Sequence, residues 1–283
     1  MKNILALTDF SEVAEAAVEA AFKLAYRYEA ALFIYHDLMP GERVSVTLND
    51  HPQIFLRAEG TKDAMAHVDI WRELSRVYKV PLQFVVTSDE LLGETEKLVE
   101  EEAIDLIVMG NTGAGGRTDA VWGSSADEII QTINCPILLV KDRILDCKFD
   151  ELLFAAGFDE DEQLPFVAAL KLLEIGTGSK VHLTAINTPS FFSQPTVVME
   201  QAMLRFGELA APVPVALHFR QAADVSDGVL EAVTENRPDL LILPHNIRKR
   251  ILPVFANHEL EELIATSTVP LLLMPHEGKL LDA

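Results

Sequence analysis

The residues best suited to chemistry form a glycine-rich run with the spacing G-x2-G-x9-G-S, which comprises Gly110, Gly113, Gly123, Ser124 and Ser125. Glycines after a strand allow positive φ and a close approach of the backbone to a ligand. The end of the run precedes a predicted helix, whose free N–H groups and dipole favour an anion. The run therefore predicts a phosphate site that needs few basic side chains.

Three other side chains near this run are candidates for ligand contact. Asp9 follows the predicted first strand and either caps the helix that begins near Ser11 or contacts a ligand; because parallel sheets bind ligands at the carboxyl ends of their strands, we favour the contact. Arg117, within the glycine loop, either reaches a terminal phosphate or is solvated. His36, at an apolar strand end, is interpreted as a buried histidine with its hydrogen bonds satisfied rather than a ligand-binding residue.

The elements that must position these residues alternate between short apolar runs and segments with helical periodicity. Strands are predicted near 3–8, 31–36, 82–87, 105–109 and 136–140, and helices near 11–28, 56–79, 91–102 and 124–133. Buried strands that alternate with helices are typical of a parallel sheet covered by helices. The predicted fold class is therefore α/β, with a doubly wound parallel sheet.

The same plan occurs twice in the chain. Asp105 recurs as Asp239 and Pro136 as Pro270, both 134 residues later, and Ile4 recurs as Leu152 at an offset of 148. The second copy has predicted strands near 151–156, 180–186, 215–219, 239–243 and 270–274, and helices near 162–175, 197–209, 226–235 and 258–266. We therefore predict two tandem domains, 1–142 and 149–283, joined by a polar linker over 141–148.

Composition restricts the possible partners and compartments. The 283 residues include 23 basic and 44 acidic side chains, so the net charge of −21 disfavours nucleic acid and anionic membranes. The sequence has no apolar run of the ~18 to 20 residues that a membrane span needs, and the N-terminus reads as a strand rather than a secretory signal. The two cysteines, Cys135 and Cys147, form no C-x-x-C pair. These features indicate a cytoplasmic protein in a reduced compartment.

The first copy resembles the ATP-binding branch of the universal stress protein family. The resemblance extends over the segments Leu7–Ser11, Ile34–Asp37, Asp105–Gly110, Gly110–Ser125 and Cys135–Val140, and thus over the whole first copy. It covers the second copy by fold more than by site. The resemblance implies an adenine nucleotide as ligand, namely ATP, ADP or AMP, with or without Mg²⁺.

Carried over by position, the family pattern implies the role of each candidate residue. Asp9 is expected at the ribose and adenine, the main chain of Asp37 at the base, and the glycine run at the ribose and phosphates. The family position of Asp37 is usually apolar, so its side chain either faces away or alters base selection. The complete candidate site is Thr8, Asp9, Asp37, Met109, Gly110, Gly113, Arg117, Gly123, Ser124 and Ser125.

The resemblance implies a stress-response regulator that binds an adenine nucleotide, hydrolyses it slowly or not at all, and acts on an unidentified protein partner. The sequence lacks a Walker A lysine and a G-x-S-x-G elbow, and no G-x-G-x-x-G follows the first strand. His245, His258 and His276 have spacings that match no compact metal motif, so no metal site is predicted. Two alternatives remain open: an enzyme of the nucleotide α-hydrolase type, and a scaffold without a ligand.

The second copy is predicted to have lost the nucleotide site. At the two offsets, Gly110 becomes Pro244, Gly113 becomes Ile247, Gly123 becomes Asn257, Ser124 becomes His258 and Asp9 becomes Gly157. We therefore expect one nucleotide per chain, bound in the first copy; the alternative is a different ligand held by His245 and His258. The last strands, near 137–140 and 271–274, are expected to join the halves as an internal pseudo-dimer, with or without a further homodimer.

The phosphate assignment predicts that Gly123→Val severely weakens ATP binding and leaves the fold largely intact. A Cβ there obstructs both the backbone conformation and the phosphates, whereas the position lies outside the expected core. ATP affinity measured by calorimetry, alongside circular dichroism of the variant, checks this. Unchanged affinity would remove the phosphate assignment.

Overall fold

The structure is a computed structural model that describes residues 1–37, 46–48, 51–53, 61–87, 90–111, 124–144, 146–188, 196–245 and 257–276. The chain divides into two compact units. The first comprises the described residues of 1–111, 124–130 and 140–147, and the second those of 131–139 and 148–276. The predicted domain limits at 142 and 149 stay predictions.

The first half of the chain contains the elements of a parallel α/β sheet. In chain order they are β1 (Asn3–Leu7), α1 (Glu12–Arg27), β2 (Ala31–Asp37), β3 (Val46–Leu48), β4 (His51–Gln53), α2 (Thr61–Tyr78), β5 (Leu82–Thr87), α3 (Leu91–Glu101), β6 (Leu106–Gly110) and α4 (Ser124–Thr132). Four strands of the first unit lie in the order β6-β1-β2-β5, all parallel. Strands β3 and β4 form a separate antiparallel pair.

Helix α1 forms because its sequence provides both a cap and an apolar face. The Ser11 side chain accepts a hydrogen bond from the Ala14 N–H at 3.2 Å, as predicted for an N-cap, and Glu12 and Glu15 lie in the first turn near the positive end of the helix dipole. The apolar face is buried on strands β1, β2 and β6. This packing places the start of α1 beside the carboxyl ends of those strands.

The second unit repeats the plan. Its elements are β8 (Glu151–Ala155), a 3-10 turn (Glu160–Glu162), α5 (Gln163–Leu172), β9 (Lys180–Asn187), α6 (Thr196–Ala210), β10 (Val215–Gln221), α7 (Val225–Asn236), β11 (Leu240–His245), α8 (Asn257–Thr266) and β12 (Leu271–Pro275). Strands β10-β9-β8-β11-β12 are parallel neighbours in that order. Residues 137–139 of β7 (Ile137–Val140) pair antiparallel with β12 in this unit. The expected association of the halves stays a prediction.

The inner strand pairs confirm both predicted offsets. Ile4 lies opposite Leu106 in the β1–β6 pair, and their counterparts Leu152 and Leu240 lie opposite each other in the β8–β11 pair. The predicted α/β class with parallel sheets is confirmed. Among the helices in the described ranges, none is long and apolar enough to cross a membrane.

An aspartate holds each inner strand pair at its amino end. The Asp105 carboxylate accepts hydrogen bonds from the backbone N–H groups of Lys2, which precedes β1, and Asn3, the first residue of β1. In the second unit, the Asp239 carboxylate accepts from the N–H groups of residues 150 and 151 at 3.1 and 2.9 Å. The repeated aspartate thus has a structural role, because it fixes the register of the two central strands.

The segment predicted as a linker is partly packed. Lys23 on α1 donates to the Ile144 carbonyl at 2.6 Å, and the Cys147 side chain is buried with its sulfur 3.6 Å from the Ala20 carbonyl. Burial raises the pKa of the Cys147 thiol to about 12, so this thiol is unreactive near neutral pH. The polar composition of 141–148 did not indicate this packing, because it depends on the single buried side chain of Cys147 and on a hydrogen bond from Lys23.

Phe154 at the centre of the second core predicts a large stability loss on truncation. Its fully buried ring lies 4.9 Å from that of Phe166 and 6.0 Å from that of Phe206. We expect Phe154→Ala to lower the free energy of unfolding by about 3 to 5 kcal/mol through lost burial and the cavity. Chemical denaturation followed by circular dichroism measures this. Leu204→Ala, at a side chain 56% exposed on α6, is the control and is expected within about 0.5 kcal/mol of wild type.

Candidate functional site

The carboxyl ends of β1, β2 and β6 lie at one edge of the first sheet. Strand β1 is central, with β2 on one side and β6 on the other. The chain leaves β1 through α1 towards β2 and returns to the opposite side of β1 only at β6. Such a reversal of strand order opens a crevice outside the carboxyl ends, where open α/β sheets bind ligands. Thr8, Asp9, Asp37, Met109 and Gly110 all lie at this edge.

The loop after β1 is held by its own hydrogen bonds. The Thr8 N–H donates to the Tyr35 carbonyl on β2, and the Thr8 hydroxyl accepts from the Phe10 N–H, both at 3.0 Å. The exposed Asp9 carboxylate accepts from the Ser11 N–H at 3.0 Å. The Asp9 carboxylate thus binds the loop and remains exposed at this edge, and the Thr8 hydroxyl also has a structural partner.

Phe10 adopts a conformation that is rare for a bulky residue. Its φ is 60°, and its counterpart in the second copy, Phe158, has φ 62°. Non-glycine residues in this region carry strain that the surroundings must offset. The Phe10 ring stacks on Trp71, with centroids 5.7 Å apart. Because both copies share this geometry, it belongs to the strand–helix connection rather than to a ligand.

His36 supports the same loop from β2. It is buried, and its Nδ1 lies 2.8 Å from the Thr8 carbonyl oxygen, so Nδ1 carries the proton that is donated. The Phe10 ring covers the imidazole, with centroids 4.5 Å apart. The interpretation of His36 as a satisfied buried histidine is confirmed. The side chain positions the backbone next to Asp9, which the sequence pattern alone did not indicate.

Gly110 is required by packing as well as by any ligand. A Cβ at this position would lie 2.9 Å from Val13 Cγ1 and 3.2 Å from the Ala14 backbone nitrogen. Both atoms belong to the first turn of α1. The absence of a side chain at 110 therefore lets β6 approach the helix that follows Asp9.

The other predicted site residues fall into three groups. Met109 is buried in β6, so its side chain faces the core, and Asp37 ends β2 half-buried. Ser124 and Ser125 are the first residues of α4, which leaves their backbone N–H groups at the helix start. The remaining candidates, Gly113, Arg117 and Gly123, lie outside the described residues.

The equivalent edge of the second unit has a different carboxylate. Gly157 stands in place of Asp9, and Glu162 accepts hydrogen bonds from the Asp159 N–H at 2.9 Å and the Gly157 N–H at 3.4 Å. Burial raises the pKa of Glu162 to about 7, although these backbone hydrogen bonds lower it. The N–H groups of the loop after β8 thus donate to a buried carboxyl group, whereas the carboxylate of Asp9 in the first unit is exposed.

Possible metal ligands are not clustered in the described residues. His276 Nδ1 lies 3.7 Å from Asp161 Oδ2, and the backbone N–H of His276 donates to the His245 carbonyl. Among the residues with placed side chains, no three His, Cys, Asp or Glu are arranged to hold a metal ion. The His258 side chain is not among those described.

The fold and this edge define a class of α/β domain with a crevice at a reversal of strand order, present twice in the chain. The sequence profile of the universal stress protein family matches residues 1–141. A universal stress protein of Methanocaldococcus jannaschii is 31% identical over 155 residues, which cover 50% of this chain and 94% of that protein. The chain therefore belongs to the universal stress protein family.

Further relatives agree with this result. A universal stress protein of Bacillus subtilis is 26% identical over 148 residues, covering 49% of this chain and 98% of that protein. Among solved structures, a universal stress protein from Archaeoglobus fulgidus covers 97% of this chain and 98% of its own, with a TM-score of 0.68 at 16% identity. That similarity extends the fold assignment to the second half of the chain.

The contacts of Gly110 predict that Gly110→Ala destabilises the first unit by about 1 to 3 kcal/mol, because the added methyl group meets the α1 backbone. Gly93→Ala in α3 is the matched control. A Cβ there meets nothing within 4 Å, so we expect stabilisation of about 0.5 to 1 kcal/mol from helix propensity. Urea denaturation of both variants measures the difference; equal stabilities would contradict the packing role.

Proposed function

We propose that the first unit binds an adenine nucleotide, ATP, ADP or AMP, at the carboxyl edge of β1, β2 and β6. The observation that carries the proposal is the exposed carboxylate of Asp9 at the reversal of strand order, next to the close approach of Gly110 to α1. A carboxylate accepts hydrogen bonds from hydroxyl groups, which suits a ribose. The N–H groups at the start of α4 are proposed to bind the phosphates, together with the glycine run that precedes it in the sequence.

The groups of this edge fit such a ligand without a basic cluster. The chain has a net charge of −21, so an anion must be bound through local backbone dipoles rather than through overall charge. The main chain at Asp37 is placed at the end of the neighbouring strand, where it is proposed to contact the base. Mg²⁺, when bound, would neutralise phosphate charge.

The two copies differ in the carboxylate that binds the loop after the first strand. In the first unit, Ser11 N–H is bound by the exposed Asp9; in the second, the equivalent Asp159 N–H is bound by the buried Glu162. Gly157 leaves no acidic side chain in place of Asp9. We therefore propose that nucleotide binds to the first copy and that the second copy serves the fold.

The proposed role is regulatory: the nucleotide state of the first unit tunes an interaction with another protein during a stress response in the cytoplasm. The sequence lacks the phosphate-binding lysine and nucleophile motifs of hydrolytic enzymes. Positioning without a base gives little stabilisation of a transition state, so hydrolysis is expected to be slow. Mass spectrometry of nucleotide released from the purified protein tests this against a scaffold without a ligand.

Calorimetric titration with ATP is expected to saturate near one site per chain. Asp9→Ala should weaken binding about 10- to 100-fold, because it removes charge-assisted hydrogen bonds worth about 1.5 to 3 kcal/mol. Asp161→Ala is the matched control in the second copy and should leave affinity unchanged. A stoichiometry near two, or wild-type affinity in the Asp9 variant, would contradict the proposal.

A further inference from the structure

Three polar side chains form a connected chain across neighbouring strands of the second unit. Glu151 begins β8, His182 lies on β9 and His218 on β10. His182 Nε2 is 3.0 Å from Glu151 Oε2, and His182 Nδ1 is 2.8 Å from His218 Nε2. The two imidazole planes differ by 21° and their centroids are 5.0 Å apart, as suits a hydrogen bond in the plane of the rings, and His182 is only 4% exposed. Both nitrogens of a buried imidazole are therefore engaged.

The short distance between the imidazoles limits how many protons the chain can carry. A nitrogen–nitrogen hydrogen bond needs one N–H and one lone pair. With both rings neutral, His218 donates to His182, and His182 donates to Glu151. With one added proton, His182 donates from both nitrogens and carries a charge next to the Glu151 carboxylate. Both states keep every hydrogen bond.

A second added proton breaks the connection. The two facing nitrogens would then both carry hydrogen at 2.8 Å, and two like charges would lie in rings whose centroids are 5.0 Å apart. Glu151 balances one positive charge, which leaves the second without compensation from β8. The doubly protonated state therefore separates the rings.

Other charged groups around the pair act on the same step. Lys180 on β9 and Arg220 on β10 are positively charged. On α7, Glu235 accepts a hydrogen bond from Arg220, and a Glu231 carboxylate oxygen lies 3.9 Å from the Arg220 guanidinium. Asp239 accepts from the Glu151 N–H. The pKa of His218 is lowered, mainly by burial. The positive charges of His182, Arg220 and Lys180 lower it further, in that order, and the negative charge of Glu235 raises it. Because the pKa of His218 is lower in the folded state, the neutral imidazole contributes its full stabilisation of the fold above the unfolded pKa of 6.5. That contribution is lost as the pH falls through the folded-state pKa.

The position of His218 gives this loss a structural consequence. In the described residues β10 pairs along its length with β9 alone, and its side chains are half-buried or exposed. We propose that Glu151, His182 and His218 form an acid-sensitive connection that holds β10 to the sheet at neutral pH and loosens it when both imidazoles are protonated. This device lies outside the proposed nucleotide site and does not depend on it.

The wild-type chain and His218→Gln test the proposal. Glutamine places an amide N–H near the imidazole Nε2 position, so it can donate to His182, but it does not take up a proton. In NMR titrations of wild type, His218 should titrate below the ordinary histidine value of 6.5. Between about pH 7.5 and about pH 5, hydrogen-exchange protection of β10 amides should fall in wild type and persist in His218→Gln.

Leu217→Gln is the matched control, because Leu217 is 42% exposed on the opposite face of β10 and leaves the histidine pair intact. It should lose protection in acid as wild type does. Titration of His218 at or above 6.5 would overturn the proposal, as would equal loss of β10 protection in wild type and His218→Gln. The titration uses the wild-type chain, so its outcome does not depend on a variant folding.

Discussion

The parallel pairing of the two inner strands is the constraint on which each unit depends. Asp105 and Asp239 bind the N–H groups that begin β1 and β8, and this contact sets the register with β6 and β11. A shift in that register would move the loop after the first strand away from the end of its neighbour. The crevice at the carboxyl edge therefore follows from a contact made at the opposite end of the strands.

The copies keep this frame and differ in how one backbone N–H is satisfied. A loop that turns from a strand into a helix leaves N–H groups that need acceptors. The first copy uses the exposed Asp9; the second uses Glu162, whose pKa burial raises to about 7. The same local requirement is thus met in one copy by an exposed group, which is the one proposed to contact the nucleotide.

The strands, their sequence along the chain and the duplication were predictable, because buried parallel strands appear as apolar runs that recur at fixed offsets, whereas the strand order within each sheet was not predicted. The β3–β4 pair was missed, since each strand has only three residues, although Val46-Thr47-Leu48 alternates apolar and polar side chains. The packing role of Gly110 and the His182–His218 contact depend on distances between elements that are remote in the sequence. The pattern of residues in one sequence does not predict such distances. At the candidate site, the pattern predicted Asp9 and Gly110 as ligand contacts, but the support that His36 gives to the loop depends on a contact between β2 and residue 8 that no sequence pattern indicates.

The most direct test of the central claim is photo-crosslinking with an azido-adenine nucleotide, followed by mass spectrometry of the labelled peptides. The account predicts labelling within residues 1–141, reduced by excess ATP, with peptides of 149–283 unlabelled. Competable labelling in the second copy, or labelling that excess ATP does not reduce, would contradict it.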